Sequence, residues 1–324
     1  MRFGLLIIFL LVLIFLSLSW GSAGFMPLYE LVYQQDSLST VLFYNNRLPR
    51  TLLALFAGSG AAIAGLLLQT LFKNPLAGPT TLGINSGASL GVASYYYLIS
   101  IGVPLLAWAT PALFATFGSL GFLLLILLFS RRFESVYTLL IVGLLLGYLA
   151  YAIVELLIQY SSDGGIRSYV FWGMGSFNGG SYFQILILVA LVAVTTAYAW
   201  MRRETLNLYL LGEEELRLRG KSQVAIQLQI LLLSGLLVGV STSIVGPIAF
   251  IGVIAPNLLK FLIHSLDHRK LIGKVVLLGG VMALLADILS RGIVFSQALP
   301  LNSILSLMSI PILLLLLKKP SHVN

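Results

Sequence analysis

The chain has no cysteine, so it has neither a disulfide framework nor a thiolate metal site. Its three histidines, His264, His268 and His322, fall at no metal-ligand spacing, and no metal centre is expected. Charge is also scarce: Asp, Glu, Lys and Arg supply 9% of 324 residues, where a soluble domain carries about a quarter. With 59% hydrophobic residues, that excludes a water-soluble fold. Acidic side chains are the rarer sign, 11 against 19 basic, for a net charge of +8. The basic surplus is scattered through short segments between apolar runs and lines no single face, so no nucleic-acid partner is expected.

Long apolar runs are what the chain has in abundance. Ten of them lie near 4–20, 51–72, 84–101, 107–130, 138–160, 182–201, 224–244, 248–265, 274–295 and 301–317, and most approach the roughly 20 residues that cross a bilayer core. The first follows a single Arg2 and outlasts the apolar core of a secretory leader, so it reads as a retained span. An even count places both termini on one side. With the termini inside, fifteen of the nineteen Lys and Arg residues fall at the inner face, and only Arg47, Arg50, Arg167 and Arg291 fall outside. That asymmetry sets the orientation. The expectation is an all-α polytopic membrane protein, a single domain over residues 1–324 with about ten transmembrane helices and both termini cytoplasmic.

The stretch from Arg47 to Gly91 organises the rest. Ala57, Ala61 and Gly65 recur at fourfold spacing beside Gly60 and Ala64, so this helix can approach another backbone closely. The turn from Lys73 to Pro79 then breaks the helix with two prolines and a glycine. The pattern RLPRT, small-residue helix, Gln69, LFKNPLAGP, LGINSGASLG resembles the permease subunits of type II ABC importers for iron-siderophore, haem and cobalamin. The resemblance continues in order through Trp172–Ser176, Leu211–Glu213, Gly246–Gly252, Asp267–Arg269 and Ala286–Asp287, covering nearly the whole chain.

That resemblance implies a permease in the bacterial cytoplasmic (inner) membrane, working as a homodimer or as a heterodimer with a related permease. It implies two cytoplasmic ATP-binding subunits carrying ATP and Mg, a periplasmic or lipid-anchored substrate-binding protein outside, and no cofactor in this chain. The implied cargo is a ferric siderophore first, with haem, cobalamin or molybdate as alternatives. Gly220-Lys221-Ser222 looks like the end of a phosphate-binding loop, but Glu215 stands where that motif needs Gly, so hydrolysis must come from another chain. No catalytic residue is expected. An ion-coupled secondary transporter is the competing reading, and an intramembrane enzyme lacks the clustered side chains such chemistry needs.

Carried over residue by residue, the resemblance implies that Arg47 and Arg291 dock the binding protein. Snorkelling, or for Arg291 a pair with Asp287, is the plain alternative. Residues 202–223 form the longest inner polar loop. Gly212 suits the end of one short helix, Glu213, Glu214 and Glu215 the start of the next, and Arg217 and Arg219 its other end. With Leu211, these residues match the family's ATPase-coupling element; a solvated charged loop is the alternative. Asn74, Pro75, Leu76, Ser135 and Val136 match its cytoplasmic gate, or are ordinary turns. Glu155 is the one acidic residue well inside a span, and such residues are costly and often functional. It could meet substrate or a polar neighbour, with Tyr148 and Tyr151 as an aromatic wall for a bulky chelate or as interfacial tyrosines. Asn257 and Lys260 stand where the family often has His and Arg. The corner from Gly246 to Pro256 matches a short re-entrant helix.

Overall fold

The structure, a computed structural model, describes residues 3–21, 24–25, 38–104, 108–132, 135–291 and 298–318. Its helices are α1 (Phe3–Ser19), α2 (Leu48–Phe72), α3 (Ile84–Ser100), α4 (Pro111–Arg132), α5 (Val136–Gln159), α6 (Asp163–Gly173), α7 (Tyr182–Met201), α8 (Arg203–Leu211), α9 (Glu213–Leu218), α10 (Gln223–Val245), α11 (Ile251–Ile263), α12 (His268–Ser290) and α13 (Leu301–Lys318). A helix occupies each of the ten expected runs, and six of the described helices are long and apolar enough to cross a membrane. The protein is an all-α polytopic membrane protein. The two-residue strands Trp20–Gly21 and Gly24–Phe25 pair antiparallel after α1.

The central post is α2, buried on nearly every side from Thr51 to Phe72. It begins upstream of the expected run, through a short helical turn, Leu38–Leu42, and a π turn, Phe43–Arg47. Pro49 has no N–H for the carbonyl four residues back, so the chain widens there instead of closing regular α turns. At the other end Lys73 adopts a left-handed conformation, φ 46°, and its N–H caps the carbonyls of Gln69 and Thr70. Small residues let two helices touch α2 backbone to backbone. A Cβ on Gly58 would strike Gly279 of α12, and one on Gly65 would lie 2.7 Å from the Cα of Gly252 in α11. Such close approach drives helix association in lipid, where apolar burial alone supplies little.

The segment after α10 departs from expectation. Gly246, φ 75°, ends α10, residues 246–250 carry no helix, and one helix of 13 residues follows, with Pro256 inside it. No separate re-entrant helix precedes it. Pro256 deprives the Gly252 carbonyl of its helical donor, and that carbonyl is the one packed on Gly65. At about 1.5 Å per residue, α11 alone is too short to cross the hydrocarbon. The next helix, α12, starts at His268, ahead of the apolar run, because the Asp267 carboxylate caps it by accepting from the Arg269 N–H at 2.9 Å.

Outer and inner ends are identified by charge and contact. Arg47 and Arg50 stand at the start of α2 and Arg291 at the end of α12. Lys73 at the far end of α2 lies 5.8 Å over the Tyr209 ring of α8, in the basic inner loop.

Candidate functional site

At the outer end, Asp287 is 1% exposed and meets two cations: Arg50 Nε donates to Oδ1 at 2.7 Å and Arg291 donates to Oδ2. The Arg291 guanidinium also donates to the carbonyls of Ser17 and Trp20 and to the Ser17 hydroxyl. Arg47 donates to the carbonyls of Ser19 at 2.6 Å, Leu18 at 3.2 Å and Gly24 at 3.1 Å. These two arginines therefore fasten the end of α1, and they are 6% and 5% exposed. Direct docking by Arg47 and Arg291 needs guanidiniums at the surface, and here both are turned inward to backbone carbonyls at and just after the end of α1. Arg50 is less enclosed, with a side chain 15% exposed, and lines a cavity of about 230 Å³ with Asn178, Asp287, Ser290 and Arg291.

At the inner end, the turn after α2 is tied down by side chains from α11. The Asn74 carboxamide oxygen accepts from the Leu76 N–H at 2.9 Å, while Asn257 Nδ2 donates to the Pro75 carbonyl at 2.6 Å and to the Val253 carbonyl at 2.9 Å. Gln69 Nε2 donates to that same Val253 carbonyl at 3.1 Å, and Gln69 Oε1 accepts from Lys260 Nζ at 2.7 Å. Thus of the two departures from the family pattern, Asn257 holds the backbone of the 74–76 turn directly, and Lys260 holds the Gln69 side chain at the end of α2 that leads into it. Ser135 is exposed at the start of α5 with Val136 half-buried beside it. Among the described residues no hydrogen bond joins them to the 74–76 turn.

Along α5, Leu139, Gly143, Ala150 and Val154 turn inward. Tyr137, Ile141, Leu144, Tyr148, Tyr151 and Glu155 recur at alternating spacings of four and three and are all exposed, so one straight stripe of this helix lacks cover within the chain. Tyr151 and Glu155 lie one turn apart on the same stripe. Among the described residues, no three His, Asp or Glu side chains gather in a way that could hold a metal ion.

The inner loop folds as two short helices. Gly212, at φ 139°, makes the corner between α8 and α9 in a conformation that favours glycine. Glu213, Glu214 and Glu215 occupy the first turn of α9, where the helix dipole favours anions, and Arg217 lies in the last turn. Thr205, Leu206, Tyr209 and Leu216 point into the protein. Burial, then the nearby Glu213 carboxylate, pushes the Tyr209 phenol up to about 12. Outward, Leu211 and Leu218 are 71% and 77% exposed among Glu213, Glu214, Glu215, Arg217 and Arg219. Asp267 accepts from Asn207 Nδ2 of α8 at 2.8 Å, and that bond, followed by the Arg269 N–H, holds its carboxyl below the usual range.

Several organising residues carried no sequence signal. Asn302 of α13 donates from Nδ2 to the carbonyls of Gly173 at 3.1 Å and Pro247 at 2.7 Å, and its Oδ1 accepts from the Ala249 N–H at 3.1 Å. It joins the end of α6 to the non-helical link. Asn207 and Thr70 likewise gain meaning only through residues far along the chain. A lone amide in an apolar run, as at Asn302, is the one hint available beforehand.

The chain matches the FecCD transport family over residues 9–319. It is 33% identical over 312 residues to the hemin transport system permease protein HmuU of Yersinia pestis, spanning 95% of this chain and 93% of that one. It is 34% identical over 276 residues to the vitamin B12 import system permease protein BtuC of Salmonella typhi, spanning 85% and 83%. A solved structure described as an inward-facing conformation of a metal-chelate type ABC transporter superposes with a TM-score of 0.84 at 29% identity, over 97% of this chain and 98% of that one. PsaBC from Streptococcus pneumoniae, at a TM-score of 0.58 and 17% identity, shares the fold.

Proposed function

The chain belongs to the FecCD transport family, and from that premise we propose how this permease is driven and what it carries. It is the multi-pass membrane subunit of an ABC importer and not an enzyme; ATP is hydrolysed in a separate subunit. In our reading two ATP-binding subunits, carrying ATP and Mg, seat against α8 and α9 on the cytoplasmic side of a bacterial inner membrane. The observation that carries this is the pair Leu211 and Leu218, both more than two-thirds exposed on a helix pair rich in charge. Large aliphatic side chains among mixed charges on an aqueous face suit a partner surface with an apolar centre and a polar rim.

The pathway in this reading runs along the uncovered stripe of α5, against a second copy or a related permease, with Tyr148 and Tyr151 as apolar walls and Glu155 as the one charge beside them. The turn at Asn74, Pro75 and Leu76, with Ser135 and Val136, closes its inner end. The cargo is a metal chelate. A metal held in a macrocycle, haem or cobalamin, is favoured over a ferric siderophore by the relatives named above. A binding protein docks at the outer end through the cavity beside Arg50, which a carboxylate can enter. Arg47 and Arg291 set the shape of that end, Arg291 by lining the cavity and Arg47 by holding the tail of α1.

Purifying the chain from its native membrane and identifying what accompanies it tests the drive. The expected companion is an ATP-binding subunit, and Leu218→Asp is expected to lose it. Proteoliposomes of the complex, offered haemin, cobalamin and a ferric siderophore with the copurified binding protein, test the cargo. Uptake without ATP and driven by a proton gradient refutes the proposal.

A further inference from the structure

We infer that Asn207, His268 and Thr70 form the link through which movement of the α8–α9 pair reaches α2 and the inner turn that follows it. This rests on the reading of α8–α9 as the surface the ATPase moves. Three helices meet in one unbroken line of hydrogen bonds. Asn207 Oδ1, on α8, accepts from the His268 backbone N–H at 3.0 Å and from His268 Nδ1 at 2.7 Å. His268 Nε2, at the start of α12, lies 2.8 Å from Thr70 Oγ1 on α2. His268 and Thr70 are 1% and 2% exposed, so water does not compete for these bonds.

The donors and acceptors fix the line. A backbone N–H can only donate, so the Asn207 atom facing it is the oxygen, and the amide nitrogen faces the Asp267 carboxylate. A carboxamide oxygen carries no proton, so His268 Nδ1 carries one. Thr70 then has two choices. Its hydroxyl donates to Nε2 when the ring is neutral, or accepts from Nε2–H and donates to the Leu66 carbonyl, 2.9 Å away. Rotation of one hydroxyl keeps the Asn207–His268–Thr70 line joined in both ring states, with only the bond to the Leu66 carbonyl given up when Thr70 donates to Nε2.

What α2 does with a displacement at Thr70 is also visible. Gln69, the preceding residue, grips Val253 and Lys260 of α11, and Lys73, three residues on, begins the turn that Asn257 holds through Pro75. Thr70 is therefore the point where the cytoplasmic helices touch the same turn of α2 that anchors the inner turn. The Asp267-His268-Arg269 motif thereby acquires a purpose: Asp267 caps α12 and orients Asn207, and His268 bridges to α2. These are positioning residues; none of them is placed against cargo or nucleotide.

The test uses the full complex, and because this chain has no cysteine each introduced thiol is the only one it carries. Leu218→Cys on α9 and Leu76→Cys in the inner turn, both at exposed positions, are labelled with a thiol reagent with and without ATP and vanadate. In the otherwise unaltered complex both labelling rates are expected to respond to nucleotide. With Thr70→Val, of the same shape but without the hydroxyl, Leu218→Cys is expected to respond and Leu76→Cys to stop. Uptake per ATP hydrolysed is expected to fall about tenfold, the factor that loss of one buried hydrogen bond corresponds to, and Thr70→Ser to restore it. Should the Thr70→Val complex fail to assemble, Asn207→Leu on peripheral α8 makes the same comparison. If Leu76→Cys keeps its response in these variants, the link is refuted. If Leu218→Cys does not respond even in the unaltered background, the coupling reading beneath it fails instead.

Discussion

Replacing Gly65 by alanine adds one methyl group where α2 and α11 touch. That Cβ would stand 2.7 Å from the Gly252 Cα and nearer still to its carbonyl, where carbon atoms rest at about 3.5–4.0 Å. The helices must part by about 1 Å, because the obstacle is backbone and no side chain can swing away. The consequences reach the inner turn. Gln69 Nε2 lies 3.1 Å from the Val253 carbonyl, and about 1 Å more carries it beyond hydrogen-bond range. Overpacking of this kind costs about 1–3 kcal/mol, with about 1 kcal/mol more for the lost bond. Gly121→Ala supplies the control: a Cβ there meets nothing within 4 Å, and alanine favours a helix by up to about 1 kcal/mol. Intrinsic tryptophan fluorescence during heating of the detergent-purified complex reads both. Gly65→Ala is expected to melt earlier and transport less, and Gly121→Ala to melt at or above the parent temperature. Equal melting of the two variants refutes the close α2–α11 contact as the basis of the fold.

Asp287→Ala leaves Arg50 and Arg291 without their carboxylate and is expected to cost about 3–5 kcal/mol, since a buried charge loses its partner. In chemical unfolding, Asp287→Leu combined with Arg291→Met should recover much of that loss. Asn302→Leu strands the Ala249 N–H and the Gly173 and Pro247 carbonyls, at about 1–3 kcal/mol for a buried group left unsatisfied; faster proteolysis of the 246–250 link is the readout. The Asp267 carboxyl is held below its ordinary 3.8 in the folded protein, so its stabilisation is present above that value and is lost as pH falls through the depressed one. Asn207→Ala removes the main cause, so in acid melting curves the contribution of Asp267 is expected to be smaller and to be fully lost by a higher pH.

The spans were legible because length and hydropathy are local properties. The α8–α9 corner was legible too, because Gly212, the glutamates after it and the arginines beyond act within one turn of where they stand. Contacts between distant residues were not. Arg47 and Arg291 read as outward-facing because nothing nearby announces that the carbonyls ending α1, almost 30 and more than 270 residues away, need donors. Asn207 and His268 are 61 residues apart, and His268 and Thr70 198, so motif order alone left the Asp-His-Arg triplet without a role. The corner from Gly246 to Pro256 read as a short re-entrant helix, but one helix runs through Pro256, with the Gly252 carbonyl packed close against Gly65 of α2.

The central claim is that α8 and α9 form the inner, ATPase-facing surface of a permease that has no hydrolytic chemistry of its own. A cysteine at Leu218, single in this chain, tests it with a membrane-impermeant maleimide. Labelling is expected in inside-out vesicles stripped of peripheral protein, to slow when the copurified ATP-binding subunit is added back, and to be absent in intact cells made permeable only at the outer membrane. Labelling from the outside, or labelling that the added subunit leaves unchanged, contradicts the account.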